Sequence, residues 1–360
     1  MKILKKFTIS VLLLASILVV CACDKDIKEP TTESFDLSYK LQEDEEIEPF
    51  FATDSLIYAA VLKKDPPSTM QSMFGAKTEK FIVYDTKSSK VTEEYAIKDT
   101  DAYIYNAMPF EDGIIYSTYL PKTKKDNGKV PWSINYVTQD DSITVDSGHC
   151  RSNMNTPGFA NIGEDIYYLY EDFVKESKYG FGIRKADLEK PKEVLWETKY
   201  KLSENELYSN GTDFAIMVEG KINDGKANVL IGNVDGIYNE YDFPEKITSM
   251  GLCKDYLFCC TTSDGEKYTA RSIALESGEE HDAELEEPLY RIASMKGNEL
   301  TCVAGNWGMC ILHPGKEFKK VSVEDPEKII DSREFVRYYP YGESGTFAQL
   351  DDKKFCRLTW

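Results

Sequence analysis

The chain has 360 residues, with 62 acidic and 43 basic side chains that give a formal net charge of −19 at pH 7. Such a negative surface repels phosphate backbones, which argues against a nucleic-acid partner. Tyrosine and phenylalanine are abundant, with 23 and 17 copies, and long stretches of helical periodicity are few. The composition therefore favours a β-rich protein, built as one large domain or two ordinary ones.

The first 22 residues have the composition of an export signal. Lys2, Lys5 and Lys6 precede an apolar run at 7–20, which is shorter than the roughly 20 residues that a spanning helix needs. The run ends in Val-Cys-Ala-Cys at 20–23, which resembles the lipobox of bacterial lipoproteins. In that family a small residue precedes the cysteine that receives diacylglycerol.

Cys23 fits this pattern better than Cys21. Ala22 before Cys23 is small, whereas Val20 before Cys21 is branched and bulky; Cys21 in the middle of the motif departs from the usual pattern. The resemblance implies a signal peptide at 1–22, a lipidated Cys23 and a flexible tether over 23–33. It also implies attachment to a cell membrane, facing the extracytoplasmic side. The alternative is an ordinary secretory signal or an uncleaved anchor.

The next feature is a short strand pattern that recurs seven times, each copy opening with a polar or glycine turn residue. The copies lie at 54–62, 112–120, 164–173, 212–220, 254–263, 298–306 and 345–351. Their spacing of about 42 to 58 residues is typical of the blades of a four-stranded β-propeller. A smaller apolar segment precedes each copy and a further strand follows it.

The number of strands predicts how the ring closes. Six copies are followed by a polar outer strand, but the chain ends at Trp360 before the seventh copy acquires one. An additional strand with alternating apolar residues at 34–41 would complete that last blade, and closure protects sheet edges. The predicted fold is all-β: a single seven-bladed propeller of four-stranded antiparallel blades over 34–360. A β-sandwich, two smaller β domains, or six or eight blades remain alternatives.

The blades lack the signatures of the motif-rich propeller families. No Trp-Asp ending, Gly-Gly doublet or sialidase Asp-box is present in the repeats. The plain rhythm of strand, acidic turn and strand resembles the extracytoplasmic propellers of the TolB and YncE-like kind. This resemblance covers most of the chain but rests on the blade rhythm alone, so it implies a fold rather than a function.

Long connections in the first three blades predict a binding surface on one face of the ring, because loops on a rigid scaffold commonly carry function. The candidate residues are Met70, Met73, Phe74, Lys124, Lys125, Trp132, His149, Arg151 and Tyr179. The lysines stand out on an acidic protein and would suit an anionic partner. The alternatives are that the aromatic residues pack within the loops and that the lysines are merely solvated.

Seven cysteines follow Cys23, an odd number, and most lie in apolar strand-like runs. This pattern favours buried free thiols. Cys302 and Cys310 could face each other across a hairpin, so they are the best candidates for a disulfide. No Cys/His spacing for zinc and no calcium-loop motif is present, so we predict no metal and no cofactor.

The leading functional hypothesis is a non-catalytic binding module. We expect a membrane-anchored monomer that binds a surface or cell-wall protein, a peptide or a glycan, and we assign no catalytic residue. The alternative is a secreted carbohydrate-active enzyme, a glycoside hydrolase or polysaccharide lyase, with its site at the central channel. Paired carboxylates for such chemistry cannot be recognised from sequence, because their separation is spatial. A third possibility is a scaffold whose side wall docks a membrane partner.

Overall fold

The structure is a computed structural model. It describes residues 31–37, 39–53, 55–63, 77–98, 102–120, 129–152, 156–175, 178–190, 192–198, 201–203, 206–219, 227–304, 309–322, 337–341, 345–349 and 354–359. The predicted signal peptide and Cys23 lie outside these ranges. Among the described residues, no helix has the length and apolar character needed to cross a membrane.

The described residues form 28 strands. The first strand, β1 (Thr31–Asp36), precedes seven groups of strands in chain order. The first blade contains β2 (Glu45–Ala52), β3 (Leu56–Lys63), β4 (Lys77–Asp85) and β5 (Lys90–Ala96). The second contains β6 (Tyr103–Phe110), β7 (Gly113–Tyr119), β8 (Val130–Val137) and β9 (Ser142–Cys150). The third contains β10 (Gly158–Ile162), β11 (Asp165–Lys175), β12 (Lys178–Lys185) and β13 (Val194–Thr198).

The remaining blades follow the same order. The fourth contains β14 (Tyr208–Ser209), β15 (Phe214–Glu219), β16 (Ala227–Asn233) and β17 (Gly236–Phe243). The fifth contains β18 (Lys246–Leu252), β19 (Tyr256–Thr262), β20 (Tyr268–Ala274) and β21 (Glu280–Leu285). The sixth contains β22 (Leu289–Lys296), β23 (Glu299–Ala304), β24 (Met309–His313) and β25 (Lys319–Ser322). The seventh contains β26 (Arg337–Tyr341), β27 (Gly345–Gln349) and β28 (Lys354–Thr359).

The blades are arranged as a ring. Within each of the first six sheets the strands pair antiparallel in chain order, and the seventh sheet has the order β26-β27-β28-β1. The first strand of every blade contacts the first strand of the next, and the circle is completed by contacts between β26 and β2. The predicted all-β propeller fold is therefore confirmed. The seven predicted repeats correspond to the second strand of each blade, with boundaries within two residues.

The N-terminal strand supplies the outer strand of the last blade. β1 pairs antiparallel with β28, from Thr31 opposite Thr359 to Asp36 opposite Lys354. The predicted bounds of 34–41 were wrong, because the strand ends at Asp36. Leu37 is only 2% exposed and packs, together with Tyr39 and Leu41, against the core of the first blade. The apolar alternation at 37–41 thus reflects packing on the way to β2 rather than pairing in a sheet.

The second strand of the second blade is buried on both faces. All seven residues of β7 are buried, whereas the outer strand β21 alternates exposed and half-buried positions. Ile114 belongs to the core shared with the first blade, and Ile115 belongs to the core shared with the third. Since neighbouring residues of a strand point to opposite faces, β7 contributes to two cores at once.

Antiparallel order gives the ring two distinct faces. The bottom face carries the turns between first and second strands and between third and fourth strands. The top face carries the connections between second and third strands and between successive blades. Thr31 lies at the bottom, because it pairs with the end of a third strand.

Hydrogen bonds join consecutive bottom-face turns from the third blade to the sixth. They run from Gly163 N to Gly211 O (2.7 Å), from Asn210 Nδ2 to Cys253 O (2.9 Å), from Lys254 N to Gly297 O (2.9 Å) and from Asp255 N to Asn298 Oδ1 (2.8 Å). Gly163 and Gly211 have φ values of 67° and 89°, in the left-handed region that glycine adopts without steric cost. These bonds fix the turns of neighbouring blades relative to each other.

Asn210→Ala should lower the free energy of unfolding by about 1–2 kcal/mol, because this side chain makes three hydrogen bonds of 3.0 Å or shorter. Its Oδ1 accepts from the backbone N–H groups of Thr212 and Asp213, and its Nδ2 reaches the next blade. The midpoint of urea unfolding measures the effect. Asn239→Ala is the control, since Asn239 donates only to Tyr241 of its own outer strand; an equal loss in both variants would refute the role assigned to Asn210.

Candidate functional site

The predicted binding residues fall into two groups. Met70, Met73, Phe74, Lys124 and Lys125 lie outside the described residues. For Tyr179 the backbone alone is described, and it pairs with Phe173 in the third blade. Trp132, His149 and Arg151 are described at the top-face ends of β8 and β9. All three lie where the second blade meets the third, a region called here the second–third interface.

Trp132 does not belong to a binding surface. Its side chain is 2% exposed and packs in the core between the second and third blades. Its indole Nε1 donates a hydrogen bond to the backbone carbonyl of Glu171 at 2.8 Å. The prediction that Trp132 belongs to a binding surface was therefore wrong, because its ring packs between two blades and its Nε1 donates across the interface.

The side chain of Arg151 also forms contacts across the second–third interface. Its guanidinium donates to both carboxylate oxygens of Glu171, with Nε to Oε1 at 2.7 Å and Nη2 to Oε2 at 3.0 Å. The backbone N–H of Arg151 donates to the same Oε1 at 2.8 Å. The Glu171 side chain is fully buried, whereas that of Arg151 is 25% exposed. The sequence placed Arg151 on a binding surface, but its positive charge is neutralised by the buried carboxylate of Glu171.

His149 is the exposed member of the group. Its backbone N–H donates to Asp172 Oδ1 at 3.0 Å, which fixes the end of β9 against β11. Gly148 permits this approach, because a Cβ there would lie 2.5 Å from the same oxygen and 2.6 Å from the Trp132 ring. Nearby, Lys129 Nζ lies over the ring of Phe173. The imidazole of His149 and the Lys129–Phe173 pair are thus available at the top of this interface.

A second buried carboxylate, which sequence reasoning missed, lies deeper in the same interface. Asp146 on β9 accepts hydrogen bonds from Tyr168 Oη (2.7 Å) and Arg184 Nη1 (2.8 Å), and it pairs with Lys192 Nζ (2.9 Å). The guanidinium of Arg184 lies 3.7 Å from the centre of the Tyr170 ring. Burial raises the pKa of Tyr168, and the Asp146 carboxylate raises it further.

The two buried carboxylates of this interface are paired within the protein. Both buried carboxylates have cationic partners and hydrogen-bond donors, so neither is placed as a free general acid or base. Within the described part of the chain, no group of three or more His, Cys, Asp or Glu side chains could hold a metal ion. The two carboxylates thus hold the second and third blades together through ion pairs across the interface.

The inner strands allow a check of the central channel. In the described residues, β2 is the one inner strand with carboxylates: Glu45, Glu46 and Glu48. Glu45 is buried and accepts a hydrogen bond from the backbone N–H of Gln42 at 2.8 Å. Glycoside hydrolysis needs two carboxyl groups that flank the sugar bond. The described inner strands offer no such pair contributed by two different blades.

Two recesses lie between the fourth and fifth blades. One is a cavity of about 650 Å³ on the bottom face, whose lining includes Asp213, Tyr238, Lys254, Tyr256 and Glu276. The other is a groove of about 460 Å³ in the side wall, whose lining includes Glu240, Asp242, Phe243, Arg271 and Glu280. Arg271 is held there by a two-point contact with Asp282, with both distances 2.9 Å. Sequence reasoning pointed to neither recess.

Comparisons with known proteins concern the fold alone. The chain matches no protein-family model and no curated protein sequence. Its structure is similar to that of BamB from Moraxella catarrhalis, with 9% identity and a TM-score of 0.49 over 92% of this chain and 100% of that one. It is similar to the Dos1 propeller, with 8% identity and a TM-score of 0.47 over 85% and 75%. It is also similar to a puromycin hydrolase, with 10% identity and a TM-score of 0.50 over 83% of this chain.

This chain spans 49% of the hydrolase. At identities this low, shared function does not follow from shared fold. The ring of seven sheets shows that the protein is a β-propeller. This fold by itself does not indicate a function.

Arg151→Ala should destabilise the protein more than Glu171→Gln, by about 3 kcal/mol against 1–2 kcal/mol. Removing the arginine leaves a fully buried carboxylate without its cation, whereas the partly exposed arginine can turn to solvent when Glu171 is neutralised. The midpoints of urea unfolding measure both. The double variant should be less destabilised than the sum of the two single variants.

Proposed function

We propose that the protein is a lipid-anchored lipoprotein on the extracytoplasmic side of a bacterial membrane. Its propeller binds a protein, a peptide or a glycan without catalysis, through the top face at the second and third blades. The observation that carries this proposal is the second–third interface, where buried ion pairs lie directly beneath the ends of the long connections.

The anchor is supported by the N-terminal sequence and by the position of β1. Cys23 follows a signal-like segment, and Thr31 begins the outer strand at the bottom face. The seven residues 24–30 reach at most about 25 Å when extended. A lipid on Cys23 would therefore hold the bottom face near the membrane, and the top face would point away from it.

The top-face connections begin and end at fixed residues. Residues 121–128 lead into Lys129 and β8, residues 153–155 follow Arg151 and Ser152, and residues 176–177 join β11 to β12. Glu171 binds Trp132 through its carbonyl and Arg151 through its carboxylate, so these strand ends are joined. Binding sites are often formed by loops that a rigid scaffold positions. A rigid scaffold lowers the conformational entropy that the protein loses when it binds a partner.

The charge at this position suggests the chemistry of the partner. Lys122, Lys124, Lys125 and Lys129 lie within eight residues of a chain whose net charge is −19. Association with an anionic glycan or an acidic protein surface would be favoured there by local attraction, and it would weaken as the salt concentration rises. We do not propose the carbohydrate-active enzyme, because the described inner strands carry carboxylates only on β2.

The anchor is tested by two matched substitutions. Cys23→Ala should abolish incorporation of radiolabelled palmitate and release the protein from the membrane fraction of the producing bacterium. Cys21→Ala should retain both, because Ala22 and Cys23 still form the modification site. Loss of labelling in Cys21→Ala with retention in Cys23→Ala would reverse the assignment, and labelling of neither wild-type cysteine would exclude the anchor.

The binding face is tested by removing its charge. Lys124→Ser/Lys125→Ser should weaken binding to immobilised polygalacturonate, or to a solubilised surface-protein fraction, by at least about tenfold, the effect of 1.4 kcal/mol. Lys316→Ser/Lys319→Ser is the control, since it removes the same charge from exposed positions on the sixth blade. Surface plasmon resonance at two salt concentrations measures both. Equal weakening in the two variants, or no binding by the wild type, would count against the top-face site.

A further inference from the structure

Thiols are concentrated in one core of the propeller. The six cysteines whose side chains the structure describes are all buried. Four of them lie in the core between the fifth and sixth blades: Cys253, Cys260, Cys302 and Cys310. Buried thiols in a membrane-anchored protein of the cell exterior meet oxidising conditions during folding, so their mutual geometry decides which of them can pair.

Two of these thiols face each other directly. Cys302 on β23 and Cys310 on β24 are register partners, and their Sγ atoms are 3.2 Å apart. Directly opposed residues of antiparallel strands have Cα separations of about 4.5–5.5 Å, within the range that a disulfide accepts. A bond between the two sulfurs therefore needs a small change in side-chain torsion and little movement of the backbone.

The two sulfurs share one hydrogen bond, and either of them can donate it. The ammonium of Lys320 lies near both thiols and acts to lower the pKa of each, which favours the thiolate form. Lys320 is itself held by an ion pair with Glu287. Since the thiolate is the nucleophile in disulfide exchange, either cysteine of this pair can begin the reaction.

We propose that Cys302 and Cys310 form a cross-strand disulfide within the sixth blade when the folding chain meets a disulfide oxidant. One of the two thiolates attacks one sulfur of oxidised glutathione and releases one glutathione thiolate. The other cysteine then loses its proton and attacks the protein sulfur of this mixed disulfide, and the second glutathione leaves as a thiolate. Two protein thiols are oxidised, and one glutathione disulfide is reduced to two thiols.

Burial predicts when the bond forms. Both side chains are at most 1% exposed once the sixth blade packs on the fifth, so glutathione cannot reach them in the closed ring. The reaction therefore belongs to the folding chain, after β23 and β24 pair and before the core closes. The bond would fix the register of this hairpin, and it would remove two thiols that could otherwise pair wrongly with Cys253 or Cys260.

The test uses the full-length chain, denatured and reduced, then refolded with a mixture of reduced and oxidised glutathione. Remaining thiols are blocked with iodoacetamide under denaturing conditions and the chain is digested without reduction. Trypsin leaves both cysteines in one peptide, 297–316, which should lack two hydrogens and carry no alkyl groups. Chymotrypsin also cuts after Trp307, so the two halves should then stay joined through the sulfurs alone.

Matched variants identify the partners. Cys260→Ser should leave the 302–310 bond intact, since Cys260 lies in the same core but on β19. Cys302→Ser should leave Cys310 open to alkylation. Refolded wild-type chains in which both cysteines are alkylated, or in which either is joined to another cysteine, would overturn the proposal. The wild-type digest decides this even if a variant fails to fold.

The bond should also form at least about tenfold faster during refolding than when oxidised glutathione is added to the folded, reduced protein, since exchange depends on access. An equal rate in the two experiments would overturn the assigned order of events. Neither result depends on the lipid anchor or on the binding face, so the outcome is independent of the proposed function.

Discussion

The first five blades of this propeller are apolar on both faces, and the rest of the structure depends on that constraint. In β11, Tyr168 and Tyr170 pack toward the second blade, whereas Tyr167 and Leu169 pack toward the fourth. A blade on its own would leave one of these faces in water, at a cost of roughly 25 cal/mol for each Å² of apolar surface. An open row of blades would still expose two faces, and a ring exposes none. The pairing of β1 with β28 joins the two ends of the chain at the point where that ring must close.

The interfaces between blades are not equivalent. Four of the cores between neighbouring blades are apolar clusters with few charged groups, but the second–third interface contains the buried carboxylates Asp146 and Glu171. Burying a carboxylate costs free energy that its ion pair only partly offsets, so such pairs contribute more to specificity than to net stability. Any packing of these two blades that left either carboxylate unpaired would be strongly disfavoured. The top-face strand ends of the second and third blades are therefore held in one arrangement.

The two faces of the ring differ in a way that suits an anchored binding module. On the bottom face, turns of the third to sixth blades are joined by hydrogen bonds between neighbours. On the top face, the long connections leave from ends that are joined by Glu171. The proposed anchor would place the bottom face near the membrane, and this is the face whose turns are joined by hydrogen bonds. The concentration of thiols between the fifth and sixth blades is a separate feature, and it concerns how the chain folds rather than what it binds.

The sequence by itself determined the class of fold and the origin of the closing strand. Seven repeats with one outer strand missing imply a ring completed by the N-terminus, because strand count and chain order are properties of the sequence. The sequence also predicted that the cysteines are buried and that Cys302 and Cys310 lie opposite each other, because apolar runs and hairpin register are local features. Only the tertiary structure decided that the strand is 31–36, that Trp132 is buried, that Arg151 pairs with Glu171, and that Asp146 contacts Tyr168 and Arg184. Those contacts join residues 20 to 39 positions apart in different blades, and no local pattern marks which polar side chain finds its partner across an interface.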